Sequence, residues 1–556
     1  MTYRNILEKI RLAFPQPVSD SIHDSYFVHS MMRALDQVDA LKTHLPFLGS
    51  IIHGDFDKAK QTVLPGTIAT VEEVTKELVS YLEGMTIFGH PRTQQNVVCP
   101  TTIPSLIGVL LAALHNPNIC WDENSRLVAL AEVEVTAMTS QLIGYDPKRS
   151  SGVFTFGGTG TTLYGVKIGL EKACPGTMHK GTPEEAVVFV SDTSHYCAAN
   201  ITGWLGIGTD NLIAIPTTTE NEIDLVQLEE EMRKALTNGK KIACIVATMG
   251  TTDAFGLDNL MCIVALRETL VDEFELDYQP HIHADAVIGW AWAVFNDYDI
   301  EQNSLDFRPR TIRAIAGACR RIRHLNLADS VGIDFHKTGF APYISSLVLV
   351  KDQTDLDLLK RTPEQMPYLY HFGQYRPGMF TLETSRAGTG PLAALANLKL
   401  FGIEGLRVIL GHIIEMTQLL REHLEGHEGT TVLNRGNFGT VTLFRVYPVG
   451  VDTFEIKSQE FEDVKYRDSL IAHNAYNREI FQYVNSEAME GRGVFISTTD
   501  CYRKTTYGEP IVALKSYILS PFIDEEDVKT VVAKVLEARE AIGESQTTNS
   551  NGGGGN

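Results

Sequence analysis

The chain has 556 residues, enough for one large and one or two smaller domains. Its 48 basic and 69 acidic residues give a formal charge of −21, which excludes sequence-independent nucleic-acid binding, because that needs a basic surface. No apolar run reaches transmembrane length (Ile103 to Leu114 ends at His115), so neither a membrane nor a nucleic acid is an expected partner.

The N-terminal "MTYRNILEKIRLAF" carries charges through its apolar positions and lacks the apolar block of a signal peptide. Eight cysteines are scattered without a C-x-x-C pair, so reduced thiols and a cytoplasmic location are expected. Residues 1–95 read as a helical segment, with helix-compatible spacing in "TIATVEEVTKELVSYLEGM". Residues 96–390 alternate helical stretches with short β-branched runs. The strand candidates are Ala186–Val190, Ile242–Thr248, His281–Asp285, Val331–Asp334 and Ser345–Val350. That alternation implies an α/β domain with a mostly parallel sheet and helices on both faces. Residues 391–540 read as a smaller α+β domain, and 541–556 as a disordered tail with almost no apolar content.

In open α/β sheets, ligands gather at the carboxyl ends of the strands. "FTFGGTGTTLYG" places Gly157, Gly158 and Gly160 around Thr159 before a helical run, a shape that suits a phosphate or a plain tight turn. Its spacing is neither the Walker pattern nor the dinucleotide fingerprint, which argues against ATP and NAD. His195 follows "VSDTS" and reads as a ring stacker or a capping histidine. Thr251 and Thr252 end the strand "IVATMGTT" and read as ligand donors or ordinary turn residues. Asp285 closes "HIHAD", where a half-buried carboxylate needs a positive or hydrogen-bonding partner. His281, His283 and Asp285 alternate onto one strand face, which leaves a metal site as a competing reading, although none is expected. Lys337, in "DFHKTG" between two apolar runs, reads as a surface lysine or as an imine-forming nucleophile. A low-dielectric site near other positive groups would ease loss of its proton.

Together, a phosphate cradle, a stacking ring, a carboxylate for a ring nitrogen and a lysine nucleophile are the parts that hold pyridoxal 5′-phosphate. The order G-G-T-G-T-T, S-D-T-S-H, A-T-M-G-T-T, H-A-D-A and D-F-H-K resembles the group II pyridoxal-phosphate-dependent amino acid decarboxylases over residues 80 to 410. The resemblance implies a fold type I, PLP-dependent transferase-like large domain with a seven-stranded sheet, an N-terminal arm that clasps a dimer, and a small C-terminal domain. It implies that Lys337 carries the cofactor, Asp285 pairs with its ring nitrogen and His195 stacks on the ring. Gly158, Thr159 and His336 would lie at the phosphate, with Thr251 at the cofactor edge and Asp334 near the lysine. Val287 would face the ring where relatives often carry alanine. His90, Arg92 and Gln94, in "HPRTQQN", would belong to the substrate pocket, and Arg386 would bind the substrate carboxylate. Tyr370 or Tyr368 would reprotonate the α-carbon from a mobile loop. The implied reaction is decarboxylation of an amino acid, with an acidic or polar substrate preferred and an aromatic one as alternative. The competing functions are a carbon–carbon lyase or aminotransferase on the same fold, or an inactive scaffold.

Overall fold

Short β-branched segments buried on both faces are what a sheet covered by helices on each side requires. A computed structural model shows this sheet and describes residues 2–366 and 372–551; for Pro363 and residues 545–551 it describes the backbone alone. Seven strands form it: β1 (Ser151–Thr155), β2 (Ala186–Ser191), β3 (Leu212–Ile215), β4 (Lys241–Thr248), β5 (His281–Asp285), β6 (Ser330–Asp334) and β7 (Ser346–Val350). Their order is β1-β7-β6-β5-β4-β2-β3. Strands β6, β5, β4, β2 and β3 run parallel, and β7 is antiparallel to both β6 and β1. The register aligns Thr248 and Asp285, the last residues of β4 and β5, with Gly332 in β6, two residues before that strand ends at Asp334, which brings their following loops to one place. The sequence reading finds five of these strands and misses β1 and β3. The first opens on Ser-Gly, and the second is a four-residue edge strand with one exposed and two half-buried positions.

The helix Gly158–Ala173 lies across the central strands. It approaches closely because it carries glycines on the packed face. A Cβ on Gly165 would run into the His283 ring, and one on Gly169 into the Ala243 carbonyl. A second, wholly antiparallel sheet comprises β8 (Thr430–Val432), β9 (Val441–Val446), β10 (Ser497–Thr499) and β11 (Ala513–Tyr517) in the order β10-β11-β9-β8. The helix Thr389–Glu425 links the two sheets, and Gly402, at φ 54°, breaks its regular path.

Contacts divide the chain into two units, residues 1–93 and 94–556. In the first, the helix Val71–Ser80 starts at a capping box formed by Thr70 and Glu73. The final helix, Glu525–Asn551, runs well into the segment expected to be structureless. A polar composition removes a core-facing stripe but does not itself stop a helix, and residues 541–551 contain no proline. All eight cysteines are free thiols. No helix among the described residues is long and apolar enough to cross a membrane.

Candidate active site

Strand β6 ends at Asp334, and the chain then makes one helical turn, Phe335–Thr338, before β7 returns antiparallel. Backbone and neighbours hold this turn rigidly. Phe335 N–H donates to Ser345 O at 2.8 Å and Ala341 N–H to Phe335 O at 3.0 Å. Thr338 Oγ1 donates to Ile288 O (2.8 Å), Trp290 Nε1 to Asp334 O (3.2 Å) and Asn397 Nδ2 to Gly339 O (2.8 Å). Gly339 is required there, since a Cβ would lie 2.8 Å from the Phe335 backbone. Lys337 therefore projects from a fixed base into a cavity of about 160 Å³. Gly158, Thr159, His195, Thr251, Asp285 and Val287 share that cavity, as do Asp334 and His336.

The electrostatics differ from those expected. Among the described residues no other lysine or arginine lines the cavity, and Lys337 Nζ sits 3.0 Å from Asp334 Oδ2. Burial pulls its pKa down, but Asp334 and then Asp285 outweigh this and hold it above the ordinary lysine value. The lysine in this structure is an ammonium, not a depressed amine. Ser346 Oγ donates to the other Asp334 oxygen at 2.6 Å, so that carboxylate is doubly held. Asp285 is pushed up to about 6, first by burial, with Lys337 opposing and Asp334 adding to the rise. It remains mostly ionised at neutral pH. Burial lowers His195, with Lys337 reinforcing, so its ring is neutral. A hydrogen bond from Cys197 N–H to Nδ1 (3.2 Å) orients that ring.

These residues fit pyridoxal phosphate on two observations. Asp285 Oδ1 is buried and without a hydrogen-bond partner among the described residues, as a carboxylate awaiting a ring N–H would be. Gly158, which starts the helix, leaves room that a side chain would close, for its Cβ would lie 2.9 Å from Asp334 Oδ2 and 3.1 Å from Val287 Cγ1. The first turn of a helix has unpaired N–H groups and a partial positive charge, which suits a phosphate.

The expectation that Arg386 binds the substrate carboxylate does not hold. Arg386 does not line this cavity. It is buried in an ion pair with Glu132 and donates to Phe154 O at 3.0 and 3.2 Å. Tyr375 OH donates to the second Glu132 oxygen at 2.7 Å. A guanidinium held this way is unavailable to a substrate carboxylate; it braces β1 and the chain around Tyr375. Arg386→Met should leave Glu132 buried and uncompensated. A loss of about 3–5 kcal/mol of stability is expected, read as a lower urea midpoint. Gln94 is tied down at one end, where Ser516 Oγ donates to its side-chain oxygen at 2.6 Å and its backbone N–H donates to Phe495 O at 2.8 Å, while its side-chain Nε2 is buried without a hydrogen-bond partner among the described residues. His90 and Arg92 belong to the unit 1–93, where Arg92 N–H donates to His90 Nδ1 at 3.1 Å. Tyr368 and Tyr370 lie outside the described residues.

His281 and His283 both hydrogen-bond Ser330 Oγ at 2.8 Å. Among the described residues no group of three His, Cys, Asp or Glu side chains is arranged to hold a metal ion. The sequence reading missed Tyr343, which lines the Lys337 cavity with its ring 4.2 Å from that of His336. Nothing in the spacing marks it. It comes to the site only because the chain bends back into β7.

A twisted, mostly parallel α/β sheet with a lysine, a ring-facing carboxylate and a glycine cradle at the strand ends defines a fold type I pyridoxal-phosphate enzyme. Solved structures agree on the fold. The glutamate decarboxylase domain of diaminobutyrate-pyruvate transaminase and L-2,4-diaminobutyrate decarboxylase from Vibrio parahaemolyticus superposes with a TM-score of 0.74 at 17% identity, over 96% of this chain and 99% of that one. Oryza sativa TDC, solved with PLP and tryptamine, gives 0.74 at 16% identity, over 95% and 99%. The pyridoxal-dependent decarboxylase conserved domain matches residues 65–446, more than half of the chain. The chain belongs to this family, and its cofactor is pyridoxal 5′-phosphate. It is 26% identical over 471 residues to an L-2,4-diaminobutyrate decarboxylase of Acinetobacter baumannii, covering 82% of this chain and 81% of that one. It is 23% identical over 489 residues to an aspartate 1-decarboxylase of Aliivibrio fischeri, covering 80% and 81%. The protein is a pyridoxal-phosphate-dependent amino acid carboxy-lyase.

Proposed function

We propose that the enzyme decarboxylates an L-amino acid whose side chain carries a second amine, of the 2,4-diaminobutyrate kind, to the corresponding amine and CO2. One observation carries this reading. A cavity of about 550 Å³ adjoins Lys337 and His195, and its wall holds two carboxylates, Asp192 and Asp253, with Lys337 as its sole lysine or arginine among the described residues. Asp253 is already neutralised by Lys515 at 2.8 Å, which leaves Asp192, held by Thr217 and attracted by Arg503, as the carboxylate to meet a cationic side chain. An acidic side chain would meet no cation there other than Lys337, since no further lysine or arginine among the described residues lines the cavity. The preference for an acidic or polar substrate drawn from the sequence rests on the segment "HPRTQQN", from which Asn96 lines this cavity.

Pyridoxal phosphate, when bound, supplies an electron sink for the bonding pair left behind as CO2 departs. Lys337 would hold it covalently, with Asp285 at its ring nitrogen, His195 and Val287 beside the ring, and Gly158, Thr159 and His336 around the phosphate. Asp285 keeps a negative charge facing the ring nitrogen. Asp334, 3.0 Å from Lys337 Nζ, fixes the position of the ammonium in the cavity. The buried walls exclude water, which strengthens each of these charge interactions. Tyr343 sits where it can restrict solvent entry, and a tyrosine from segment 367–371 remains the proposed proton donor to the α-carbon.

The test is CO2 release across the twenty amino acids plus 2,4-diaminobutyrate, cysteine sulfinate and phosphoserine. The expected best substrate is 2,4-diaminobutyrate, with Asp192→Asn lowering kcat/KM about tenfold or more, the ~1.4 kcal/mol or more that one charge contact supplies. Aspartate, glutamate or tyrosine as best substrate would overturn the substrate assignment.

The enzyme acts as a homodimer in the cytoplasm on this reading. The helix Ile103–His115 buries only Ser105, Gly108 and Ala112, while Ile103, Leu106, Ile107, Leu110 and Leu111 stay exposed. A contiguous apolar helix face of this kind marks an association surface. Ile107→Glu with Leu110→Glu should shift sedimentation from dimer to monomer. A dimer unchanged by both substitutions would place the interface elsewhere.

A further inference from the structure

Beneath the site, a line of polar side chains crosses the sheet face that the helix Gly158–Ala173 covers. Lys172 Nζ, one-quarter exposed, donates to Asp355 Oδ2 at 2.7 Å and lies 3.2 Å from His281 Nδ1. His281 Nε2 lies 2.8 Å from Ser330 Oγ, and Ser330 Oγ lies 2.8 Å from His283 Nδ1. His281, Ser330 and His283 are fully buried. Apolar side chains would be the ordinary occupants of such a helix-covered strand face. The absence of Cβ atoms at Gly165 and Gly169 is what admits the two imidazoles.

The donors in this line follow from chemistry. A lysine ammonium can only donate, so His281 Nδ1 accepts and its proton resides on Nε2. His281 Nε2–H then donates to Ser330 Oγ, and the Ser330 hydroxyl donates to His283 Nδ1. His283 is left with its proton on Nε2. The competing partner for His281 Nδ1 is the Asp329 carboxylate at 4.0 Å. That carboxylate is taken by Arg267 Nη1 at 2.7 Å and by Ile282 N–H at 2.8 Å. Burial holds both histidines far below the ordinary value, with Lys172 reinforcing it for His281, so neither ring is charged.

The direction of the His283 ring is also fixed. Its Nδ1 faces Ser330, and its Nε2 faces Gly332, where an added Cβ would lie 3.4 Å away. Gly332 is the register partner of Asp285. His283 Nε2 thus points along the strand face toward the level of Asp285, two residues on. Both His283 Nε2 and Asp285 Oδ1 are buried without a hydrogen-bond partner among the described residues.

We propose that Lys172, His281, Ser330 and His283 form a positioning chain that presents the His283 Nε2–H donor to the underside of the site and biases Asp285 toward its ionised form. The proposal rests on the reading of Asp285 as the carboxylate for the cofactor ring nitrogen. His283 Nε2–H and Asp285 are not hydrogen-bonded to each other, so the donor acts on the carboxylate through space as a dipole; Lys337 and the Val287 N–H also favour the charge, and Asp334 opposes it. The nearby Thr161 hydroxyl donates to Gly158 O at 2.7 Å, and its lone pairs take no hydrogen bond from His283 Nε2. A His283 protonated on Nδ1 would present a lone pair instead and act against the charge. Lys172, at the far end, selects between these two tautomers.

Two measurements test it. In the apoenzyme, 15N-histidine NMR should show His281 and His283 neutral with their protons on Nε2, each assigned by its loss in His281→Gln or His283→Gln. In the holoenzyme, Lys172→Met should move the midpoint of the cofactor's absorption titration by about one pH unit, and Lys172→Arg should restore it. A proton on His283 Nδ1, or a midpoint unmoved in Lys172→Met, overturns the chain. The apoenzyme measurement needs no bound cofactor and no substituted lysine, so it decides even where Lys172→Met fails to fold. Failure of the cofactor assignment itself shows separately, as a protein that binds no pyridoxal phosphate yet keeps both tautomers.

Discussion

Lys337→Ala is expected to abolish turnover while the fold persists. The turn that presents this lysine is secured by the Phe335, Thr338, Gly339 and Trp290 hydrogen bonds, none of which uses the lysine side chain. What the substitution removes is one partner of a buried ion pair. Asp334 then keeps only the Ser346 hydroxyl at 2.6 Å and the His336 ring at 3.5 Å. Leaving a carboxylate so placed costs up to about 3–5 kcal/mol, so a lower thermal midpoint accompanies the loss of activity. Lys337→Ala combined with Asp334→Asn should recover the midpoint without recovering turnover, which separates the chemical role from the structural one. Borohydride reduction followed by peptide mapping should label Lys337 in the wild type and nothing in the variant. Full activity in Lys337→Ala, or a label on another residue, would remove the mechanism.

Asp285 and Lys337 were legible because each lies just after a strand whose apolar run is plain in sequence, whereas the glycines stood out by their own clustering, β1 before them being missed. Asp285 follows "HIHA", Lys337 follows "SVGIDFH", and the glycines follow "GVFTF". Strand ends in an open α/β sheet converge, so the residues just beyond each strand mark the site even when the strand order is unknown. The charge environment was not legible in the same way. That Asp334 and Asp285 both face Lys337 depends on the register of β5 against β6, which no local pattern reveals. Arg386 fails for a related reason: Glu132, its partner, is 254 residues away in sequence. Tyr343 and the His281–Ser330–His283 line are also products of tertiary contact. The alternation of "HIH" puts both histidines on one strand face, but Ser330, on the neighbouring strand, decides that they share a hydroxyl and not a metal.

Asp285→Asn should lower turnover about 1000-fold, a barrier increase of ~4 kcal/mol, while cofactor stays bound through Lys337 and the glycine cradle. An amide cannot carry the negative charge that faces the ring nitrogen, so the ring loses its hold on a proton and with it most of its power to accept electrons. Stability should move the other way in the apoenzyme. The folded-state pKa of Asp285 is raised from 3.8 to about 6 by burial. Below the unfolded value both states hold the proton and the group costs nothing. Between the unfolded value and about 6 the unfolded state ionises while the native state keeps its proton, so the penalty grows, and it stands in full above pH 6. A rise of that size corresponds to ~3 kcal/mol, so the Asp285→Asn apoenzyme should melt higher than wild-type apoenzyme at pH 8. The gap should shrink between pH 6 and 4. Bound cofactor should erase much of it, because a protonated ring nitrogen gives the buried carboxylate the partner it lacks. A variant with near-normal turnover would move the ring-nitrogen role to another residue. An apoenzyme destabilised at pH 8 would show that Asp285 holds the fold together by contacts other than its charge.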